Sequence, residues 1–281
     1  MTQKQKAILL MLLSTFSFSV MQLIVKLSGG AFPVMEQVLA RNLVTLFVGA
    51  YLVVKAKDTF FGKPENRLAV LSRSILGYIG VVGYFYATKH MNVADASLLH
   101  RSSPFFVILF SAIFLRIPLR KVQGAALLIA FAGSVLVIRP GFDSSVFPAL
   151  IGVLSAAGAG GAYVLINYLK GKESNATIIF CFSLVSTVLS LMLGWRDFHW
   201  PVGVEWLYLL GIGVCAAAGQ IALTSAYKMT APGEVSIINY LGIAFSAVLG
   251  LVFLQEAIGL RSLLGMVCIF SAALLLYFHK D

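Results

Sequence analysis

Charge is what this sequence has least of. Of its 281 residues only 11% are charged and 59% are hydrophobic, against about 25% charged in ordinary soluble domains. A soluble fold cannot hide that much apolar side chain, which excludes the water-soluble classes. Cysteine is scarce too: Cys181, Cys215 and Cys268 all lie inside apolar runs and have no neighbours at metal-ligand spacing. They read as packing residues, and no metal site is expected. Also lacking are a Gly-x-Ser-x-Gly elbow, a His-Glu-x-x-His pair and a Gly-Lys-Ser/Thr phosphate loop. Those absences argue against an enzyme and against transport driven by ATP on this chain alone, and no cofactor is expected.

What is present is long and apolar. Ten runs stand between charged or Gly/Pro breaks, at 7–27, 34–54, 68–87, 95–115, 122–138, 147–169, 176–194, 204–226, 234–254 and 262–278. A hydrocarbon core of about 30 Å needs about 20 such residues per helix, so each run can cross a bilayer. None alternates as a barrel strand would, and open backbone in lipid would be unsatisfied, so helices are expected. The fold class read from the sequence is an all-α integral membrane protein with ten transmembrane helices. The stretch Met1–Lys6 followed by the run from Ala7 superficially looks like a signal peptide, but without a convincing small-residue cleavage site it reads as a retained first helix.

The net charge of +10 would suggest nucleic acid in a soluble protein. Here the basic residues sit mostly in short connections, the pattern of cytoplasmic loops, and no nucleic-acid partner is expected. With the N-terminus inside, the inner side takes Lys4, Lys6, Lys55, Lys57, Lys63, Arg67, Arg73, Arg116, Arg120, Lys121, Lys170, Lys172, Lys228 and Lys280, while Lys26, Lys89, Arg139, Arg196 and Arg261 fall outside. Both termini are therefore expected in the cytoplasm, and short loops fit a prokaryotic inner membrane. Arg41 and Arg101 fall within predicted spans.

The chain also repeats itself. Lys89, Asp95, Ala96, Ser97, Leu98 and Leu99 align without gaps on Lys228, Glu234, Val235, Ser236, Ile237 and Ile238 at an offset of 139 residues, and Phe114 and Leu115 match Phe253 and Leu254 at the same offset. Leu119, Arg120 and Gly124 then match Leu260, Arg261 and Gly265 at an offset of 141. Residues 1–140 and 147–279 thus read as two five-helix repeats. Five is odd, so the second copy enters the membrane in the opposite sense. Inverted repeats of this kind build transporters whose halves exchange conformations around a midplane site.

The stretches ADASLLHRSSPFFVILFSAIFLRIPL, GAALLIAFAGSVLVIRPG and APGEVSIINYLGIAFSAVLGLVFLQEAIGLRSLLGMVCIFSAALLLY resemble the drug/metabolite transporter superfamily, specifically its EamA-type members. FLQEAI is close to that family's usual FLGE pattern, whereas FLRIPL in the first half lacks the acid, so no role is carried to Ile117. The resemblance implies ten helices in two halves, a central cavity lined by spans 1, 3, 4, 6, 8 and 9, and a small-molecule substrate.

Ionisable and amide side chains at membrane depth are costly and mark candidate sites. His100 and Arg101 in span 4 occupy the place that Asn239 and Tyr240 occupy in span 9, a pseudo-symmetric polar pair suited to a substrate site. His100 is either a proton-coupling group or a hydrogen-bonded packing residue. Arg41 and Glu36 are candidates for gating or coupling; five residues apart, they lie about 140° apart on a helix and do not pair. Gln22, Tyr84, Tyr163, Asn167 and Gln220 complete the candidate substrate contacts, and Gln22, Asn167 and Gln220 are expected to face the interior. Tyr86 and Tyr227 stand nearby, as solute contacts or interfacial anchors. Gly77, Gly80, Gly83, Gly158, Gly160 and Gly161 suggest close helix packing, and Asp95 and Glu234 read as helix N-terminal carboxylates.

Because Arg41 and Arg101, joined by His100 when it is charged, outnumber Glu36, the balance favours an anionic or zwitterionic solute: a carboxylate, an amino acid or a phosphorylated metabolite. Alternatives are export of cationic or lipophilic drugs and, from another class, a membrane-embedded lipid-modifying enzyme. Expected partners are the solute, the lipid bilayer and a coupling proton or exchange solute; a homodimer is left open.

Overall fold

The computed structural model describes residues 1–28, 32–90, 93–138, 146–255 and 259–278. Arg139, Lys280 and the acid of FLQEAI lie outside the described residues, as do the side chains of Lys89 and Asp95. The chain forms α1 (Gln3–Leu27), α2 (Val34–Ala56), α3 (Arg67–His90), α4 (Val93–His100), α5 (Ser103–Phe114), α6 (Lys121–Ile138), α7 (Val146–Tyr168), α8 (Asn175–Gly194), α9 (Glu205–Met229), α10 (Pro232–Ser236), α11 (Leu241–Leu254) and α12 (Leu260–Phe278). Together they make ten apolar spans and, among the described residues, no strand. The protein is a multi-pass membrane protein.

Local chemistry sets the ends. Thr2 and Gln5 close a capping box at the start of α1, and the Ser174 side chain accepts from Thr177 at the start of α8, each satisfying orphan donors of a first turn. Lys57 ends α2 in the left-handed region at φ 53°.

The fourth and ninth spans, expected as continuous helices, are broken. The fourth is α4 then α5, interrupted at Arg101–Ser102. Pro104 has no N–H and its ring collides with the carbonyl four residues back, that of His100; Ser102 Oγ donates to Leu99 O at 2.6 Å and helps occupy the loosened carbonyls. The ninth span runs α10, then a 3-10 turn over Ile237–Tyr240, then α11.

Packing pairs recur five spans apart. α1 lies along α9 as α3 lies along α7; α2 meets α9 as α8 meets α3; α11 meets α1 as α5 meets α7; α2–α8 and α6–α12 pair across the halves. This pattern is consistent with an inverted repeat. Glycine allows the closest contacts, as expected for α3 and α7: a Cβ on Gly80 would sit 3.0 Å from Ala159 N, and one on Gly158 would sit 2.9 Å from Leu76 O. Between α6 and α12 the backbones themselves touch, since a Cβ on Gly265 would fall 2.5 Å from Gly133 O.

One charge is not where the sequence put it. Arg73, counted among cytoplasmic residues, lies on α3 at 2% exposure. Six residues after Arg67, it stands about 9 Å into the helix at 1.5 Å per residue.

Candidate functional site

The helix breaks position the site. Arg101 sits in the gap between α4 and α5, and its Nη1 donates to the backbone oxygen of Asn239 at 3.2 Å, inside the 3-10 turn of the other broken span. A 3-10 turn leaves carbonyls poorly used, and a guanidinium satisfies one with a charge-assisted bond. Ser19 on α1 donates to Gly242 O at 3.0 Å just beyond the turn. The pair equivalent to His100 and Arg101 is thus brought to Arg101 itself: Asn239 by its backbone, and Tyr240, buried at 1% exposure, within the electrostatic reach of its guanidinium. The Tyr240 hydroxyl has no hydrogen-bond partner.

Tyr163 on α7 is the common neighbour. It stacks on Tyr227 of α9 with ring centroids 4.7 Å apart and lies in the field of three guanidiniums, Arg41, Arg73 and Arg101. Arg41 comes from α2, a helix beyond the expected cavity-lining set, and lies 5.5 Å from the Phe18 ring centroid. Arg73 lies 4.1 Å over the ring of Phe182, with Nε and Nη1 buried and unbonded. None of the three is ion-paired to a carboxylate among the described residues. An ionised side chain at membrane depth costs at least about 2.5 kcal/mol. A desolvated cation–π contact returns about 2 kcal/mol, but each buried unsatisfied donor costs about 1–3 kcal/mol more. The cluster therefore carries a net debt that an anion would relieve.

His100 packs beside this cluster. Its ring is 4.7 Å from that of Tyr84, and Nδ1 meets Ser155 Oγ of α7 at 3.0 Å. Ser155 itself donates to Gly152 O at 2.8 Å. With that hydroxyl proton committed, Nδ1 is the donor and Nε2 keeps its lone pair. Tyr84 shares a 3.1 Å hydrogen bond with Ser97. Tyr86 stands apart, stacked on His90 at 4.2 Å.

Asn167 faces inward as expected, but its amide nitrogen donates to Tyr227 O at 2.7 Å and Thr230 O at 2.9 Å, tying α7 to the end of α9. Gln220 is buried and donates within its own helix to Thr224 at 3.2 Å. Gln22 departs from expectation: it is exposed, accepting from Ser246 of α11 at 3.4 Å. The reason is the shape of the bundle. Met11, Thr15, Phe18 and Gln22 share one face of α1; the first two are buried, Phe18 is half-buried and Gln22 is open.

The end of the bundle that carries both chain termini is tied shut. Glu234, in the first turn of α10, accepts from Thr230 and faces Lys4 at 3.9 Å and Arg120 at 3.8 Å. Its carboxylate therefore does more than complement a helix terminus: it joins α1, α10 and the connection before α6. Nearby, Lys228 donates to Glu173 O, and Glu173 Oε1 accepts from Lys63 N and Asn66 Nδ2, each at 2.8 Å. At the opposite end, Glu36 does not join Arg41. Its Oε2 accepts from His199 N at 3.1 Å, while Oε1 is buried without a partner. The cleft beside it, lined by Met35, Leu39 and Ser190, measures about 10 Å³, room for one water.

Sequence reasoning missed Arg73, although the signal was present: it falls inside the run 68–87 and not before it. No group of three His, Cys, Asp or Glu side chains among the described residues could hold a metal.

The chain is 35% identical over 275 residues to the pseudopaline exporter CntI of Pseudomonas aeruginosa, covering 97% of this chain and 96% of that protein. It is 24% identical to human solute carrier family 35 member G1, over 93% of this chain and 76% of that one. A solved crystal structure superposes with a TM-score of 0.80 at 20% identity, covering 96% of each chain, and shows the same fold. The EamA-like transporter family matches twice in tandem, at residues 5–139 and 146–278. A bundle of ten spans with a polar centre, matched twice end to end in this way, belongs to the EamA-like transporter family, and the protein is a membrane transporter and not an enzyme.

Proposed function

We propose that this chain is a secondary transporter that exports an anionic or zwitterionic small organic solute by alternating access. The observation that carries the substrate class is three guanidiniums within the spans, Arg41, Arg73 and Arg101, with no carboxylate paired to any of them among the described residues. Guanidiniums in such surroundings favour carboxylate or phosphate oxygens. Likeness to a pseudopaline exporter supports the direction.

Arg101, His100, Tyr84, Tyr163, Asn239 and Tyr240 are the proposed contacts, with Arg41 beside them. The units 1–140 and 147–279 are the proposed moving parts, hinged at the two broken spans. Both termini lie in the cytoplasm of a prokaryotic inner membrane. In that orientation the tied end faces inward, and the exposed Gln22 and Ser246 mark an opening to the outside. A gradient of protons or of an exchanged solute supplies the energy. Export of cationic drugs fits less well, because its only candidate acid, Glu36, sits at a bundle end against His199 with space for a single water.

The test is counterflow in proteoliposomes with a panel of radiolabelled carboxylates, amino acids, phosphorylated metabolites and organic cations. Uptake of an acidic or zwitterionic solute that Arg101→Ala abolishes supports the reading; uptake of cations alone, unchanged in that variant, overturns it.

A further inference from the structure

Arg73 is the residue in this protein with the least local reason to exist. It is 2% exposed, and the ring of Phe182 covers one face of its guanidinium. Both Nε and Nη1 are sealed from solvent without an acceptor. No carboxylate of a described residue pairs with it, and the ionised group acting on it, Arg41, has the same sign. The backbone beside it has been cleared: a Cβ on Gly77 would lie 2.9 Å from Phe182 Cε2 and 3.6 Å from Arg73 Nη1. A helix that needed only packing here could use leucine or methionine, whereas an arginine with open donors is a recognition group for an oxyanion.

Arg73 also differs in depth from Arg101. It lies early in α3, while Arg101 lies at the break between α4 and α5 and spends one donor on Asn239 O. Arg41, 5.5 Å from the Phe18 ring centroid, is a third guanidinium within the spans with no paired carboxylate among the described residues. Three such cations are not neutralised by a solute carrying a single acid group.

We propose that Arg73 is a second oxyanion-binding station of the transport site, and that the site selects solutes bearing two or more acid groups, one held near Arg101 and Arg41 and another at Arg73. This inference rests on the anionic-substrate reading above and narrows it. The acid groups can be carboxylates or phosphates, which share the geometry that a guanidinium fork meets.

The experiment is thermal stabilisation of the purified full-length protein, since a ligand that binds the folded state raises its melting temperature in proportion to the logarithm of saturation. The probes are acetate, succinate and citrate, with orthophosphate and pyrophosphate as the second arm, and a cationic drug panel as contrast. Wild type is expected to show at least a tenfold gain in apparent affinity from acetate to citrate, or from orthophosphate to pyrophosphate; whichever arm gives it identifies the acid. Arg73→Gln should remove that gain while leaving one-acid binding in place, whereas Arg101→Gln should weaken every acid. Without ligand, Arg73→Met should raise the melting temperature, because it removes an uncompensated charge.

A gain that survives Arg73→Gln, or an Arg73→Met variant that melts lower than wild type, overturns the proposal and makes Arg73 a structural cation on Phe182. Loss of the gain in Arg73→Gln with full binding in Arg101→Gln keeps the station at Arg73 and removes Arg101 from the site. Stabilisation by cations alone, or by no acid at all, overturns both readings. Where the neutral variants do not survive purification, Arg73→Lys carries the test: it keeps the charge without the fork, and an undiminished citrate or pyrophosphate gain overturns the proposal.

Discussion

The two broken spans sit at equivalent places and are broken by different means. In the first half the break belongs to the local backbone: Pro104 cannot donate and displaces the carbonyl of His100, and Ser102 Oγ turns back on Leu99 O. In the second half there is no proline at the matching place, which is Ile243. The 3-10 turn Ile237–Tyr240 is instead held from outside, by Arg101 on Asn239 O. One side chain thus joins the two breaks. The charge is equally one-sided, since the residue matching Arg101 is Tyr240, whose hydroxyl is unpartnered.

Breaking that comparison starts with Arg101, where the largest effect is expected. Arg101→Ala should abolish transport and cost about 1.5–3 kcal/mol of stability, the range for a hydrogen bond to a charged group. Amides of Tyr240–Ile243 should exchange faster by hydrogen–deuterium exchange; unchanged exchange there would mean that the second break holds by itself. Next comes Pro104→Ala, which should let α4 run into α5. Pro104 stands in the first turn of α5, where proline is tolerated, so the melting temperature should change little while counterflow falls several-fold. Full counterflow in that variant would remove the first break from the mechanism.

The α6–α12 contact is the control, because it involves neither break. Gly265→Val should cost about 1–3 kcal/mol through overpacking against Gly133 and Val137, lowering the yield of folded protein but leaving transport per folded molecule intact. A matching loss of specific transport would extend the moving parts to that helix pair. The smallest effect is expected from Tyr240→Phe. Removing a buried hydroxyl without a partner should leave stability unchanged or raise it by about 1 kcal/mol. A fall in solute affinity alongside that gain would place the hydroxyl against the solute and make the second break a contributor to binding.

Reading the sequence for these features succeeded where the signal was local. The ten spans were visible in hydropathy to within a few residues, because the bilayer demands about 20 apolar residues of each helix. The match of His100 and Arg101 to Asn239 and Tyr240 was visible from an ungapped offset of 139; of the two pairs, Arg101 reaches the backbone of Asn239, while His100 packs on Tyr84 and Ser155. Gln22 failed the rule that amides face the interior, because the bundle opens at its depth. Arg73 was misplaced because charge near a predicted helix end was read as loop charge, whereas the helix had already run six residues from Arg67.

By itself the sequence determined that this chain lives in a membrane, crosses it ten times and repeats itself, since these follow from composition, run length and self-similarity. Only the tertiary structure decided which helices break, that Arg101 joins the two breaks, and that Arg41, Arg73 and Arg101 have no paired carboxylate among the described residues. The physical reason is distance along the chain. Hydropathy and helix period act over one or two turns, whereas the company a buried charge keeps is set by helices from about twenty to more than a hundred residues away.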